Sequence, residues 1–94
     1  MIGMLPALFL DRDGVIIENR ASYVRAWEDV VFFPSALEAL RLAAALPLRI
    51  VIVTNQSAVG RGIISLAAAV ELNQRIVHTI ELAGGRIDGV YMCP

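Results

Sequence analysis

PALFLDRDGVI, Pro6 to Ile16, is the stretch on which the fold turns. Its apolar run Ala7-Leu8-Phe9-Leu10 ends in two aspartates one residue apart, Asp11 and Asp13, with Gly14 directly after. An apolar run this short, bounded by proline on one side and by Asp and Gly on the other, predicts a strand buried on both faces. Both aspartates then fall at the carboxyl end of the strand, where open α/β sheets gather their ligands. Two carboxylates so close repel each other unless a cation or a shared proton relieves them. A divalent metal is the usual solution, and it suggests phosphate chemistry, because Mg²⁺ bridges carboxylate and phosphoryl oxygens. An EF-hand loop is excluded: Gly14 comes too early, and Ser22 stands where the closing glutamate belongs.

The chain has 94 residues, which is one small domain or a piece of a larger one. It is 57% hydrophobic with a mean hydropathy of +0.67. That is more apolar surface than a free-standing domain of this size easily hides. A net charge of −1 argues against a nucleic-acid partner and against a polybasic membrane patch. The apolar amino-terminal stretch Met1 to Leu10 has no basic start and is too short to span a bilayer. A lone cysteine, Cys93, excludes an internal disulfide framework and predicts a reducing, cytoplasmic location. The chain shows no repeat, low-complexity tract or linker.

Val15 to Phe33 fits neither helical nor alternating periodicity for long, and it predicts an excursion over the strand end, a short flap. Pro34-Ser35-Ala-Leu-Glu38 predicts a helix start, with Ser35 as N-cap and Glu38 completing a capping box. Leu37, Leu40 and Ala44 form its apolar side, and Pro47 stops it. Leu48 to Val53, LRIVIV, is the clearest strand of the chain. Strand, helix and strand in this order predict a right-handed crossover and a parallel pair. Thr54 to Gly62, TNQSAVGRG, reads as a polar loop. Ser65 caps a second helix, closed by Gly84-Gly85, with Ala69, Leu72, Ile76, Ile80 and Ala83 buried and Glu71, Arg75, His78 and Glu81 outside. Ile87 to Met92 makes a third strand. The pattern is α/β, with the order strand, flap, helix, strand, helix, strand.

Parallel strands joined by one crossover bring Asp11 and Asp13 beside Thr54 and Asn55 at one sheet edge. An acidic pair with a hydroxyl and free backbone N–H groups can hold a metal and a phosphoryl group together. LDRDGVI, followed about forty residues later by IVIVTNQS, resembles the haloacid dehalogenase superfamily of aspartate-nucleophile phosphohydrolases. The variants LDRDG, VTNQS and GRG and the terminal DGVYMCP resemble the D-glycero-D-manno-heptose 1,7-bisphosphate phosphatases and the related histidinol-phosphate phosphatases. The resemblance covers nearly all of this chain and about the first half of that family's domain.

The resemblance implies a Rossmann-like parallel sheet with flanking helices and a flap after the first strand, residues 1–94 forming a single incomplete domain. It also implies Mg²⁺-dependent hydrolysis of a phosphorylated sugar such as a heptose 1,7-bisphosphate through an aspartyl-phosphate. Asp11 would be the nucleophile and a Mg²⁺ ligand, and Asp13 the general acid and base, with its backbone carbonyl a second Mg²⁺ ligand. Gly14 would let the backbone turn beside the phosphate, and Thr54 and Asn55 would bind the phosphoryl. Gln56, Ser57 and Arg61, with Asn19, Arg20 and Ser22 of the flap, would contact substrate, Arg61 through the second phosphate. A solvated loop with Asx-type turns is the other reading of Gln56 and Ser57. Cys93 corresponds to the first ligand of a structural zinc site, which one cysteine cannot complete, so Zn²⁺ is expected only in a complete domain. Alternative readings are histidinol-phosphate hydrolysis and a non-catalytic half-domain. An unpaired edge at the first strand would favour self-association or pairing with a missing carboxyl-terminal half, and the chain alone would be inactive.

Overall fold

The structure is a computed structural model describing residues 4–94; residues 1–3, the start of the apolar amino-terminal stretch, lie outside it. Strands β1 (Ala7–Asp11), β2 (Arg49–Asn55) and β3 (Gly89–Cys93) form one parallel sheet in the order β1-β2-β3. Helix α1 (Pro34–Ala43) links β1 to β2, and the short α2 (Ser57–Gly60) and long α3 (Leu66–Leu82) link β2 to β3. Leu40 of α1, Ile50 and Ile52 of β2, and Leu72, Ile76 and Ile80 of α3 belong to one buried cluster. Both helices therefore cover the sheet face that carries Ile50 and Ile52. No helix of the described residues is long and apolar enough to cross a membrane.

Alternation along the strands sends Phe9, Val53 and Tyr91 to the opposite face, where all three are exposed, Phe9 at 63% and Tyr91 at 67%. This corrects the expectation that β1 is buried on both faces. Among the described residues it is an edge strand paired with β2 alone, and Leu8 and Phe9 are both exposed. Both crossover helices pack on the Ile50 and Ile52 face, while on the other face Val51 is buried at 7% between exposed neighbours.

The excursion after β1 is pinned at both ends. Glu18 N donates to Val31 O (2.8 Å), Phe33 N donates to Ile16 O (3.0 Å), and Ile17 and Phe32 form an antiparallel bridge. Ile16, Ile17 and Val24 are buried in the main core. Trp27 meets Phe32 edge-on at 6.3 Å and lies under the Arg75 guanidinium at 4.3 Å, so the flap aromatics serve packing. Asp29 closes the flap turn, its Oδ2 accepting from the backbone N–H of Arg25 (3.0 Å) and of Ala26 (3.1 Å). The Arg25 N–H, then that of Ala26 and the charges of Arg20 and Arg25, hold this carboxyl below its ordinary range. A depressed folded-state pKa gives stability that is present above the unfolded value and lost as pH falls through the folded one. The Arg25 and Ala26 amide resonances are thus expected to hold steady from neutral pH to about pH 4 and to move below it. Asp29→Asn should remove that acid transition.

Helix α1 begins differently from expectation. Pro34 occupies the first helical position, Phe33 is the N-cap, and no side chain caps the end. Ser35 therefore lies inside the first turn. Glu38 turns to Arg41 instead, with Nη2–Oε1 at 2.6 Å, rather than back to form a capping box. The helix ends at Ala43, ahead of Pro47. The region read as a loop from Thr54 is also more ordered: Thr54 and Asn55 extend β2 by pairing with Met92 and Cys93, and Ser57–Gly60 is helical. In α3 the expected cap is present, Ser65 Oγ accepting from Ala68 N at 3.1 Å. Ala69, Leu72, Ile76 and Ile80 are buried as read, Ala83 only partly, and Asn73 joins them.

β3 starts two residues later than read because Asp88 is used as a clasp. Its Oδ2 accepts from Ile50 N (2.8 Å) and pairs with Arg86. Arg86 Nη1 also donates to Leu48 O (3.1 Å), and Nη2 donates to Leu46 O (3.1 Å) and Ala44 O (3.3 Å). One guanidinium thus satisfies carbonyls left over at the end of α1 and in the turn into β2. Arg86→Met is expected to lower unfolding free energy by about 1.5–3 kcal/mol, the range for hydrogen bonds to a charged group. Urea unfolding monitored at Trp27 measures this, and a change near zero would show the clasp to be solvated decoration.

Candidate active site

The site grows from the end of β1. Leu10 and Asp11 pair with Ile52 and Val53, so Asp11 leaves β1 beside the point where β2 presents Thr54. After Asp11 the chain bends sharply. Ile16 N and Ile17 N both donate to Arg12 O (2.9 and 3.1 Å), and Gly14 N donates to Ile17 O (2.7 Å). Gly14 has φ +82°, a left-handed conformation that L side chains rarely adopt. A Cβ there would also lie 2.7 Å from Asn19 Nδ2. The positive φ is what calls for glycine, since the exposed Asn19 tip could move aside, and the tight bend keeps Asp13 within the site.

Asp11, Arg12, Asp13, Thr54 and Asn55 line one cleft of about 160 Å³. Arg12, Asp13 and Asn55 also line a second of about 120 Å³, completed by Asn19, Arg20, Tyr23, Gln56 and Ser57 among others. The two clefts together hold most of the residues expected to act. Arg20 lines the second one while its Nε donates to Asp29 O (3.0 Å). Ser22 and Arg61 line neither cleft; the Ser22 carbonyl accepts from Arg25 Nε (2.7 Å), and Arg61 is exposed beyond α2. A larger hollow, about 370 Å³ between α3 and β3, is lined by Val70, Asn73, Gln74, Val77, Val90 and Met92 and carries no ionisable side chain.

Three participants were missed by sequence reasoning. Arg12, 2% exposed, grips the Asp13 carboxylate with two donors, Nε–Oδ1 at 2.9 Å and Nη2–Oδ2 at 3.1 Å. Its third donor, Nη1, reaches Asn73 Oδ1 at 2.8 Å. Tyr23 lines the second cleft from a left-handed backbone, φ 69°. A signal for Asn73 did exist: it falls at helical spacing with Ala69, Ile76 and Ile80, and a polar side chain on a buried helix face needs a partner.

Beside the Arg12 guanidinium, the cleft at Asp11 is lined by the side-chain oxygens of Asp11, Asp13, Thr54 and Asn55, a donor set that suits a hard divalent cation. The Asp11 carboxylate is exposed to it, whereas the Asp13 carboxylate is engaged by Arg12. Among the described residues no three His, Cys, Asp or Glu side chains converge as a metal-ligating group. Mg²⁺ at Asp11 would therefore draw on backbone, water and substrate oxygens as well. Cys93 is exposed and has no ligating companion among these residues, so zinc finds no support here.

The parallel sheet with two covering helices, a D-x-D at the end of one strand and a Thr-Asn at the end of its neighbour, matches in fold a solved putative HAD-like phosphatase from Mesorhizobium loti, with a TM-score of 0.86 at 36% identity over 95% of this chain and 42% of that one. No family model matches the chain. It is 40% identical over 90 residues to the D-glycero-α-D-manno-heptose-1,7-bisphosphate 7-phosphatase of Mycobacterium tuberculosis, covering 93% of this chain and 46% of that protein. It is 28% identical over 87 residues to the β-anomer 7-phosphatase of Bordetella bronchiseptica, covering 93% of this chain and 49% of that protein. The crystal structure of D,D-heptose 1,7-bisphosphate phosphatase from B. bronchiseptica, complexed with magnesium and phosphate, matches it with a TM-score of 0.89 at 27% identity. That match covers 96% of this chain and 50% of the other. The chain spans about half the length of the curated relatives it matches.

Proposed function

We propose that this chain supplies the nucleophile-bearing half of a Mg²⁺-dependent phosphatase that hydrolyses a sugar bisphosphate of the heptose 1,7-bisphosphate kind. The observation that carries the reading is the convergence of Asp11, Asp13, Thr54 and Asn55 on one cleft at the carboxyl ends of β1 and β2. An Asp11 carboxylate oxygen attacks phosphorus, forming an acyl-phosphate as the bond from phosphorus to the sugar oxygen breaks. For this step Asp13 carries a proton on an oxygen released from Arg12, and it gives that proton to the departing oxygen. It then takes one from the water that attacks phosphorus, releasing inorganic phosphate and restoring Asp11. Thr54 and Asn55 hold the equatorial oxygens. Bound Mg²⁺ would neutralise charge on the transferring phosphoryl.

In this reading residues 1–94 are an incomplete domain, because the chain matches only about half of each relative. The remaining metal ligands and a phosphoryl-binding cation would come from sequence outside these residues. Selectivity for the sugar would rest on the second cleft, with Asn19, Arg20, Gln56 and Ser57. Arg61 and Ser22, which line neither cleft, would contribute only after movement of the flap or of α2. The test is phosphate release by the full-length protein from D-glycero-D-manno-heptose 1,7-bisphosphate. Release should stop on chelation and return with Mg²⁺. Hydrolysis that is indifferent to chelation, or confined to unrelated esters, would contradict the reading.

A further inference from the structure

Arg12 lies between two aspartates, yet it points inward and is almost fully buried. A guanidinium has five donors in a rigid fork, and a buried one must have partners for its charge and its plane. Asp13 answers the charge through the two parallel bonds already described. Asn73, 7% exposed on α3, answers the remaining edge, its Oδ1 accepting from Arg12 Nη1 at 2.8 Å. The other end of the same amide, Asn73 Nδ2, donates to Gln56 Oε1 at 2.8 Å. Gln56 is itself 5% exposed, and its backbone N–H is tied to Cys93 O at 2.7 Å.

This chain of bonds runs from the end of β1, through α3, to the turn after β2. Both of its ends, Asp13 and Gln56, line the second cleft. Replacing a buried ionic group by apolar side chains is often neutral or stabilising, so stability alone gives this array little reason to exist. What a bidentate grip and an amide relay supply is a fixed orientation. We propose that Arg12 and Asn73 are positioning residues that hold Asp13 and Gln56 in one relation across the cleft, Asn73 acting through Arg12 on Asp13. The catalytic consequence rests on the phosphatase reading, in which Asp13 transfers the proton; the geometric relay does not.

Two measurements separate the relay from that reading. The first uses the full-length protein and the single-turnover rate of leaving-group release from two esters. One is an alkyl phosphate, whose oxygen needs a proton to depart, and the other is p-nitrophenyl phosphate, whose phenolate leaves without one. Asn73→Leu is expected to slow the alkyl ester by about 10–100-fold, as displacement of a general acid does, and p-nitrophenyl phosphate by less than about threefold. Asn73→Asp keeps an acceptor for Arg12 and should restore most of the loss. Equal slowing of both esters, or none, overturns the catalytic role.

The second measurement is NMR of the full-length protein, read at the Asp13 carboxyl carbon and the Arg12 Nε–H. Both resonances should move in Asn73→Leu and stay near their wild-type positions in Asn73→Asp. If Asn73→Leu does not fold, Arg12→Lys serves instead, since it keeps the charge and loses the fork; it should move the Asp13 carbon likewise. Should the full-length protein hydrolyse no phosphate ester, the function fails while these spectra still decide the relay. An Asp13 carbon that ignores every one of these substitutions overturns it.

Discussion

Asp11→Asn in the full-length protein should abolish phosphate release, with a loss on the order of 10⁴-fold or more, while leaving the fold intact. The size follows from the role. A covalent nucleophile cannot be bypassed by binding and charge stabilisation alone, and removing one leaves only the small residual rate those supply. Stability should hardly change, because Asp11 is exposed at the end of β1 and its neighbours in the sheet are bonded through backbone. Substitutions at such positions are usually worth within about ±0.5 kcal/mol. Steady-state assays beside urea unfolding separate the two effects. Ordinary turnover in Asp11→Asn would remove the nucleophile from the account.

The largest effect on stability should come from Ile76→Ala. Ile76 is 1% exposed, and its cluster joins Ile16 and Ile17 of the flap, Leu40 of α1 and Ile50 and Ile52 of β2. Truncation there removes buried methylenes where flap, helices and sheet meet, so no single element can close the gap by moving alone. The expected loss is about 2–5 kcal/mol. That is a large part of the roughly 5–15 kcal/mol that holds a small domain together. Chemical unfolding measures it, and Ile76→Val should cost only about 0.5–1.5 kcal/mol. A loss below about 1 kcal/mol in Ile76→Ala would mean that the core is looser than its burial indicates.

The β1-α1-β2 crossover was legible because its signals are local: a short apolar run ending in Asp and Gly, a helical period stopped by Pro47, then RIVIV. The same holds for Ser65, whose cap is set by the three residues after it. Ser35 was misread because Ser-x-x-Glu marks a cap only if the serine precedes the helix. Pro34, with φ already fixed, starts the helix two residues earlier. The burial of β1 could not be read from its composition, since a strand's burial depends on what covers it. β1 sits at an edge with one face open.

At the site the sequence showed which strand ends meet but not how their side chains are held. The nearness of Asp11 and Thr54 follows from parallel pairing in register. The engagement of Asp13 by Arg12 does not, because the guanidinium is turned inward, where its Nη1 meets Asn73, sixty-one positions away on α3. Arg61 shows the reverse limit. The resemblance implied a contact with the second phosphate, whereas the helical turn Ser57–Gly60 leaves Arg61 outside both clefts.

The central claim is that a phosphoryl group passes through Asp11. The direct measurement is to quench the full-length protein during turnover, reduce it with borohydride, and locate the modified residue by peptide mass spectrometry. An acyl-phosphate is reduced to an alcohol where a free carboxylate is not, so position 11 should carry a homoserine that depends on substrate and Mg²⁺. Position 13 should remain aspartate. Turnover with no reducible intermediate, or with one at any other residue, would contradict the account.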